Sequence, residues 1–323
     1  MDIAHFKQMR IFCGSHNVEL AQEVADLLGV SLGRLHRSKF SSGEVYARSN
    51  ESVRGTDCFV FQSHSPPIND AIMEQLIIID ALRRASAHSI TAVMPYFGYC
   101  RQDKKVLPRE PITARLVGDL FMTAGADRLV SVDLHTGQLQ GFITKPFDHL
   151  TAIPIISEYL ATVISDDVTI VSPDAGGGKR AEKYARQLNA DVALVYKRRD
   201  VRLHNISEAL AVTGVVEDRN AVIVDDIIDT GGTVTNAAKL IRTMGAKSVR
   251  IAATHGVLSM GAMQRITEAG IDEVVVTNTL PVPEGASRAG NLKVLSIASI
   301  VAKSVQAIFT DDSVSKIFLG ENF

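Results

Sequence analysis

Short apolar runs alternate along nearly the whole chain with stretches in which apolar residues recur every three or four positions. Residues 9–13 read as a strand, 18–28 as an amphipathic helix and 59–62 as another strand. Residues 71–85 read as a helix with an apolar stripe at Ile72, Leu76, Ile79 and Leu82, and 90–94 as the strand after it. One local pattern then recurs: ASAHSITAVMP at 85–95, AGADRLVSVDL at 124–134, MGAKSVRIAAT at 244–254 and AGIDEVVVTNT at 269–279. Each is a helix end running into a strand. The spacing is too irregular for a solenoid, but two copies share a longer frame of strand, loop, helix and strand, at 59–94 and at 222–253. The pattern predicts an α/β protein of two similar halves, each a parallel sheet flanked by helices on both faces. The division is expected within 147–153, giving domains 1–150 and 151–323, and 297–309 reads as a helix that returns to the first half.

The chemistry gathers at 221–233, AVIVDDIIDTGGT. Residues 221–224 form an uncharged, mostly β-branched run, as in a strand covered on both faces, and the strand is expected to end on Asp225 and Asp226. After Asp229 come Thr230, Gly231, Gly232 and Thr233, and then Val234, Ala237, Ala238, Ile241 and Met244 fall at helical spacing up to Gly245. The order is strand, glycine turn, helix N-terminus. The first N–H groups of a helix lack internal partners and the helix dipole adds partial positive charge there, so the turn suits a phosphate. Two glycines let the backbone close around an anion, and two threonines add hydroxyl donors. With no lysine in it, this is not a Walker loop. The acids cannot face the phosphate without repulsion, but they suit a vicinal diol nearby or the waters of a metal. Phosphate and diol together suggest a ribose phosphate; an acidic turn capping an ordinary helix is the alternative.

Composition narrows the setting. With 323 residues, 46% of them hydrophobic, the chain is long enough for two domains of ordinary size. A net charge of −2 gives no general pull toward nucleic acid or an acidic membrane, so any basic site must be local. Cys13, Cys58 and Cys100 are odd in number and far apart, which indicates neither a disulfide framework nor a zinc site and fits a reducing cytosol. No apolar run approaches the ~18 residues of a membrane span, and the first ten residues lack a long apolar stretch. A soluble, untargeted, cytoplasmic protein is expected.

Four further segments carry chemistry. SPDAGGGKR at 172–180 follows a strand at 168–171 and opens a helix, with Gly176, Gly178 and Ala181 in the G-x-G-x-x-A spacing of a dinucleotide fold. The next strand, 192–195, ends in Tyr196 and Lys197 with no acid for a ribose diol, which argues against a nicotinamide site. Asp174 instead suits a Mg²⁺ ligand beside backbone N–H groups. YKRRDVR at 196–202 is a charged, hydrophilic segment expected after that strand, where open α/β sheets bind ligands. GYCRQDKKVLPREP at 98–111 reads as a loop too polar and irregular to pack, suited to close over a nucleoside triphosphate. VDLHTGQLQG at 132–141 places His135 just after a strand, where a histidine is more often a plain loop residue than a ligand.

Taken together, FSSGEV (40–45), SVRGTDCFVFQS (52–63), RQDKK (101–105), REPITARL (109–116), DLHTGQLQGF (133–142), SPDAGG (172–177), VDDIIDTGGT (224–233) and SVS (313–315) resemble the ribose-phosphate pyrophosphokinase family over nearly the whole chain. The DDxxDTxGT loop alone is shared with phosphoribosyltransferases; the full ordered set is specific. The resemblance implies two type I phosphoribosyltransferase-like domains, a homohexamer, and the conversion of ATP and ribose 5-phosphate to AMP and phosphoribosyl pyrophosphate with Mg²⁺. By position it implies ATP contacts at Arg101 and Gln102 and, from a neighbouring subunit, at Phe40, Ser42, Gly43 and Glu44. It implies Mg²⁺ at His135 and Asp174, and ribose 5-phosphate at Asp225, Asp226, Asp229, Thr230, Gly231, Gly232 and Thr233. Lys197 and Arg199 match a mobile loop that stabilises the transferring group, with Arg199 also toward ribose 5-phosphate.

The chain departs from the family at Ser42, usually Asp or Asn, and at Cys100, Ile143 and 106–108, positions that bear on nucleotide closure and effector response. A phosphoribosyltransferase would need a base-binding hood in place of the ATP contacts. A catalytically silent regulatory homologue would be expected to lose catalytic residues, and Lys197, Arg199, His135 and Asp174 are all present.

Overall fold

A computed structural model describes residues 7–164, 166–199, 208–259 and 261–318. Two compact units divide the chain: one holds the chain up to Thr151, Thr279–Pro281 and the chain from Ser296 on, the other Ala152–Asn278 and Val282–Leu295.

The first unit contains β1 (Met9–Cys13), α1 (Val18–Leu27), β2 (Leu35–Lys39), β3 (Val45–Ser49), β4 (Asp57–Phe61), α2 (Ile68–Arg84), β5 (Ser89–Met94), α3 (Thr113–Ala124), β6 (Arg128–Val132) and β7 (Phe147–Leu150). Its sheet is parallel throughout, in the order β1-β4-β5-β6-β7, while β2 and β3 form a separate antiparallel ribbon. Every residue of β4 is buried, so its sequence shows no alternation: both faces of the strand are covered.

The second unit contains α4 (Ile153–Val163), β8 (Val168–Ser172), α5 (Gly178–Leu188), β9 (Asp191–Arg199), β10 (Glu208–Thr213), β11 (Asn220–Ile228), α6 (Gly232–Thr243), β12 (Ser248–Gly256), α7 (Ala262–Glu268), β13 (Glu273–Thr277) and β14 (Leu292–Leu295). The sheet order is β10-β9-β8-β11-β12-β13-β14, parallel except for the β10–β9 edge. The last helix, α8 (Ala298–Phe309), packs on α1 in the first unit.

The recurring helix-to-strand pattern has a common physical cause. The residue just past the helix takes the left-handed conformation in all four copies: Ser86 at φ 67°, Gly125 at 109°, Gly245 at 88° and Gly270 at 68°. That reversal lets the N–H groups of Ala87, Ala126 and Ala246 close on the carbonyls of Leu82, Phe121 and Ile241 at 3.1, 3.0 and 3.3 Å. Each of those alanines is buried as the chain turns into β5, β6 or β12.

The second sheet differs from the first in one way that creates a site. Its chain runs outward from β8 to β9 and β10, then returns to the other side of β8 for β11 and continues to β14. The strand order therefore reverses between β8 and β11, and ligand crevices in open α/β sheets form outside the carboxyl ends of strands at such a switch point. The first sheet adds its strands in one direction only. Behind the crevice, Ile223, Ile251, Val274, Ile241 and Ile266 are fully buried in the core between sheet and helices, each contributing on the order of 1.5–3 kcal/mol relative to exposure.

Candidate active site

β11 does not stop at the acid pair. Pairing with β12 continues past Asp225, opposite Ala253, to Ile227 opposite His255 and Ile228 opposite Gly256. The expected end at Asp225 and Asp226 is thus corrected: a polar residue ends a strand only if its backbone finds no partner, and β12 supplies one. The turn that follows is as the residue types require. Gly231 takes φ 80° and caps α6, which starts at Gly232. A Cβ on Gly232 would meet only Thr230 Oγ1, at 3.9 Å, so its outward face is open.

The turn is braced from the side by α7 and the residues just before it. Leu258 and Ser259 donate their N–H groups to the carbonyls of Ile228 and Asp229, each at 3.0 Å. The Ser259 hydroxyl donates to Asp229 Oδ1, and Arg265 Nε donates to the Thr230 carbonyl at 2.8 Å.

Behind the turn, the guanidinium of Arg180 in α5 lies 3.0 Å from Asp225 Oδ1 and 3.1 Å from Asp226 Oδ1. Asp225 Oδ1 also accepts the Asp226 N–H at 2.9 Å. Burial first, then the hydrogen-bonded and charged Asp226 carboxyl, push the Asp225 carboxyl up to about 7, against the downward pull of Arg180.

A cavity of about 730 Å³ opens at the start of α6, lined by Pro173, Asp174, Tyr196, Gly232, Thr233 and Asn236 among others. The second unit thus brings Asp174 together with Gly232 and Thr233 across the β8–β11 switch point. Asp174 is exposed, with Oδ1 fixed by the Gly177 N–H at 3.0 Å. Gly177 itself is required by packing, since a Cβ would stand 2.6 Å from Ser172 Oγ. The dinucleotide spacing of this segment is therefore a tight turn built around an oriented carboxylate.

Lys197 and Arg199 need a correction. Their backbone lies within β9, paired antiparallel with β10, Lys197 opposite Leu210 and Arg199 opposite Glu208. They are not in a segment after the strand, because β10 offers an edge partner that carries the pairing through the charges. Their side chains lie outside the described residues, as do 200–207, which include the end of the charged run.

In the first unit, Phe40, Ser42, Gly43 and Glu44 form the tip of the β2–β3 ribbon, closed by Phe40 N–H to the Glu44 carbonyl at 2.9 Å. The Ser42 hydroxyl donates to Glu44 Oε2 at 2.8 Å, and Gly43 takes φ 95°. Phe40 is 60% exposed and meets Tyr46 edge to face at 6.2 Å. The ribbon and the loop at 98–111 are anchored to adjacent residues at the start of α2, through Lys39 Nζ to Asp70 and Tyr99 OH to Asn69, each at 2.6 Å.

The loop at 98–111 packs more than its polarity suggested. Cys100 and Asp103 are buried, and Asp103 Oδ2 accepts from Thr136 Oγ1 at 2.6 Å. That bond ties the segment of Arg101 and Gln102 to the one carrying His135. Arg101, Gln102 and His135 are exposed, with Gln102 Oε1 accepting from Thr113 Oγ1 at 2.6 Å. Among the described residues no three His, Cys, Asp or Glu side chains converge to hold a metal by themselves.

Family models match this chain as the N-terminal domain of ribose phosphate pyrophosphokinase over residues 9–125 and as the phosphoribosyl synthetase-associated domain over residues 201–319. A ribose-phosphate pyrophosphokinase of Clostridium acetobutylicum is 47% identical, over 99% of this chain and 100% of its own. The chain belongs to the ribose-phosphate pyrophosphokinase family. A Streptomyces avermitilis member is 50% identical over 97% of this chain and 96% of its own. The crystal structure of a phosphoribosylpyrophosphate synthetase from Mycobacterium smegmatis matches with a TM-score of 0.89 at 48% identity, covering 94% of this chain and all of that one. The family is one of enzymes, and its likeness here spans both units rather than the turn at 225–233 alone.

Sequence reasoning missed Arg180, Ser259 and Arg265. For Arg180 a signal was present: Lys179 and Arg180 sit in the first turn of α5, where the helix dipole disfavours cations, and a cation held there implies a nearby anion. Ser259 and Arg265 carried no such signal, because their partners are backbone and acid brought close only by the sheet.

Proposed function

We infer that this chain converts ATP and ribose 5-phosphate to AMP and 5-phosphoribosyl 1-pyrophosphate. The observation that carries the reading is the left-handed Gly231 opening α6 beside a carboxyl pair, on a cavity at the β8–β11 switch point, in a chain similar over its whole length to ribose-phosphate pyrophosphokinases. The 5-phosphate sits at the N-terminus of α6, held by backbone N–H groups and the hydroxyls of Thr230 and Thr233. Asp225 and Asp226 accept hydrogen bonds from the ring hydroxyls, and Asp229 keeps the turn in shape through Ser259.

So held, the anomeric hydroxyl attacks the β-phosphorus of ATP. A C1–O–Pβ bond forms, the Pα–O–Pβ linkage breaks, AMP leaves, and the hydroxyl proton is released. Phosphoryl transfer of this kind is catalysed mainly by positioning and charge neutralisation. Arg101 and Gln102 hold the nucleotide, and Lys197 and Arg199 supply positive charge to the transferring group. Asp174 fits a Mg²⁺ site: it is an exposed, oriented oxygen ligand at the cavity, and Mg²⁺ favours one or two carboxylates with waters and substrate phosphates. The family likeness also implies His135 as a Mg²⁺ position, and the ion when bound would neutralise phosphate charge.

The exposed Phe40 and Tyr46 on the β2–β3 ribbon support its use by a neighbouring subunit, through Phe40, Ser42, Gly43 and Glu44, in a homohexamer. Three free, buried cysteines fit a cytoplasmic setting, and no described helix is long and apolar enough to cross a membrane. The test is incubation with ATP, ribose 5-phosphate and Mg²⁺ followed by nucleotide chromatography. AMP is the expected product; ADP, or no turnover, would contradict the reading.

A further inference from the structure

Nothing in the sequence patterns assigns a role to Arg180, yet its side chain is only 21% exposed and it reaches across from α5 to both acids of β11. Consecutive strand residues ordinarily point to opposite faces, yet the carboxyls of Asp225 and Asp226 converge on one guanidinium, an arrangement that calls for a restraint. A single planar guanidinium, with donors in a fixed fork, provides it: Nη1 takes Asp225 at 3.0 Å and Nη2 takes Asp226 at 3.1 Å. We propose that Arg180 is a positioning residue for pentose recognition, holding the two carboxyls in the one arrangement that accepts adjacent ring hydroxyls.

The inference rests on the assignment of the acid pair to the sugar made above. It also accounts for an otherwise unfavourable placement, because a cation in the first turn of a helix opposes the dipole and is retained where acids balance it.

The experiment measures ribose 5-phosphate and ATP binding separately by calorimetry on Arg180→Gln, Arg180→Lys, Asp226→Asn and the double variant Arg180→Gln/Asp226→Asn. Arg180→Gln is expected to weaken ribose 5-phosphate binding about 10- to 100-fold, as for loss of hydrogen bonds to charged groups, with ATP binding unchanged. Arg180→Lys, a point charge without the fork, is expected to recover part of that loss, and it carries the test if Arg180→Gln does not fold. The double variant is expected to bind ribose 5-phosphate more tightly than the product of the two single losses predicts. If Asp226→Asn weakens sugar binding while both Arg180 variants bind as wild type, the positioning role is overturned and the sugar assignment stands. If neither Asp226→Asn nor Arg180→Gln affects sugar binding, the assignment of the acid pair falls and the positioning role with it.

Discussion

Arg265 Nε donates to the carbonyl oxygen of Thr230 at 2.8 Å, joining α7 to the turn that opens α6. With the Ser259 bonds to Asp229, it makes the turn at 229–232 part of a three-element corner rather than a free loop. A turn held this way offers its N–H groups already aimed, so little ordering cost is left for binding.

Arg265→Ala should therefore raise the Kd for ribose 5-phosphate by about 3- to 10-fold, the size of one hydrogen bond of ~1 kcal/mol. Because Arg265 is exposed, Tm should move little. Calorimetry and thermal unfolding on the same sample check both halves; an unchanged Kd would mean the turn is rigid without the brace.

Asp225 gives a pH dependence of definite sign. Its folded pKa is raised from 3.8 to about 7, burial being the main cause. The folded state thus binds this proton more tightly than the unfolded chain. Its stabilising contribution is complete below pH ~4 and is lost as pH rises through ~7. Asp225→Asn removes that loss. Urea unfolding at pH 5 and pH 8 should show wild type losing stability relative to Asp225→Asn at the higher pH, and parallel behaviour of the two would contradict it.

His64 gives the opposite case in the first unit. It is fully buried between Gly98 and α2: Nδ1 accepts the Gly98 N–H at 2.8 Å, so the ring proton is on Nε2, which meets Gln75 Oε1 at 3.0 Å. Burial lowers its pKa from 6.5 to about 4. Stability from the neutral ring is present above pH ~6.5 and is lost as pH falls through ~4. His64→Gln should lower stability at pH 7 and narrow its deficit against wild type toward pH 4, as read by urea titration. A deficit independent of pH would show that protonation of His64 plays no part.

Much of this was readable from residues, and the failures have physical causes. Helix-to-strand corners were legible because each needs a left-handed residue followed by a buried apolar one in fixed register, as at Gly125 and Ala126. The glycine turn that opens α6 was legible because Gly231 and Gly232 have few other uses in that order. Strand ends were not: β11 and β9 run on through Asp226 and Lys197 because neighbouring strands supply backbone partners, and local polarity carries no information about a partner distant in sequence. The same holds for Asp103, a polar residue in a polar loop that is buried because Thr136 meets it.

Gly231 and Gly232 should separate folding from binding. At Gly231, φ 80° is strained for any side chain, so Gly231→Ala should cost about 1–2 kcal/mol of stability, seen as a lower urea midpoint. A midpoint equal to wild type would show that the turn relaxes out of the left-handed conformation.

Gly232 has room for a side chain on the protein side, with only Thr230 Oγ1 at 3.9 Å, and it lines the cavity. Gly232→Val should fold with near wild-type stability while its branches occupy the space of the phosphate. The central claim, that the N-terminus of α6 is the ribose 5-phosphate site, is tested most directly by titrating this variant with ribose 5-phosphate and with ATP in separate calorimetric runs. The account predicts loss of ribose 5-phosphate binding by at least about 100-fold, comparable to removing charged hydrogen bonds, with ATP affinity held. Equal loss of both ligands, or retention of ribose 5-phosphate with loss of ATP, would contradict it.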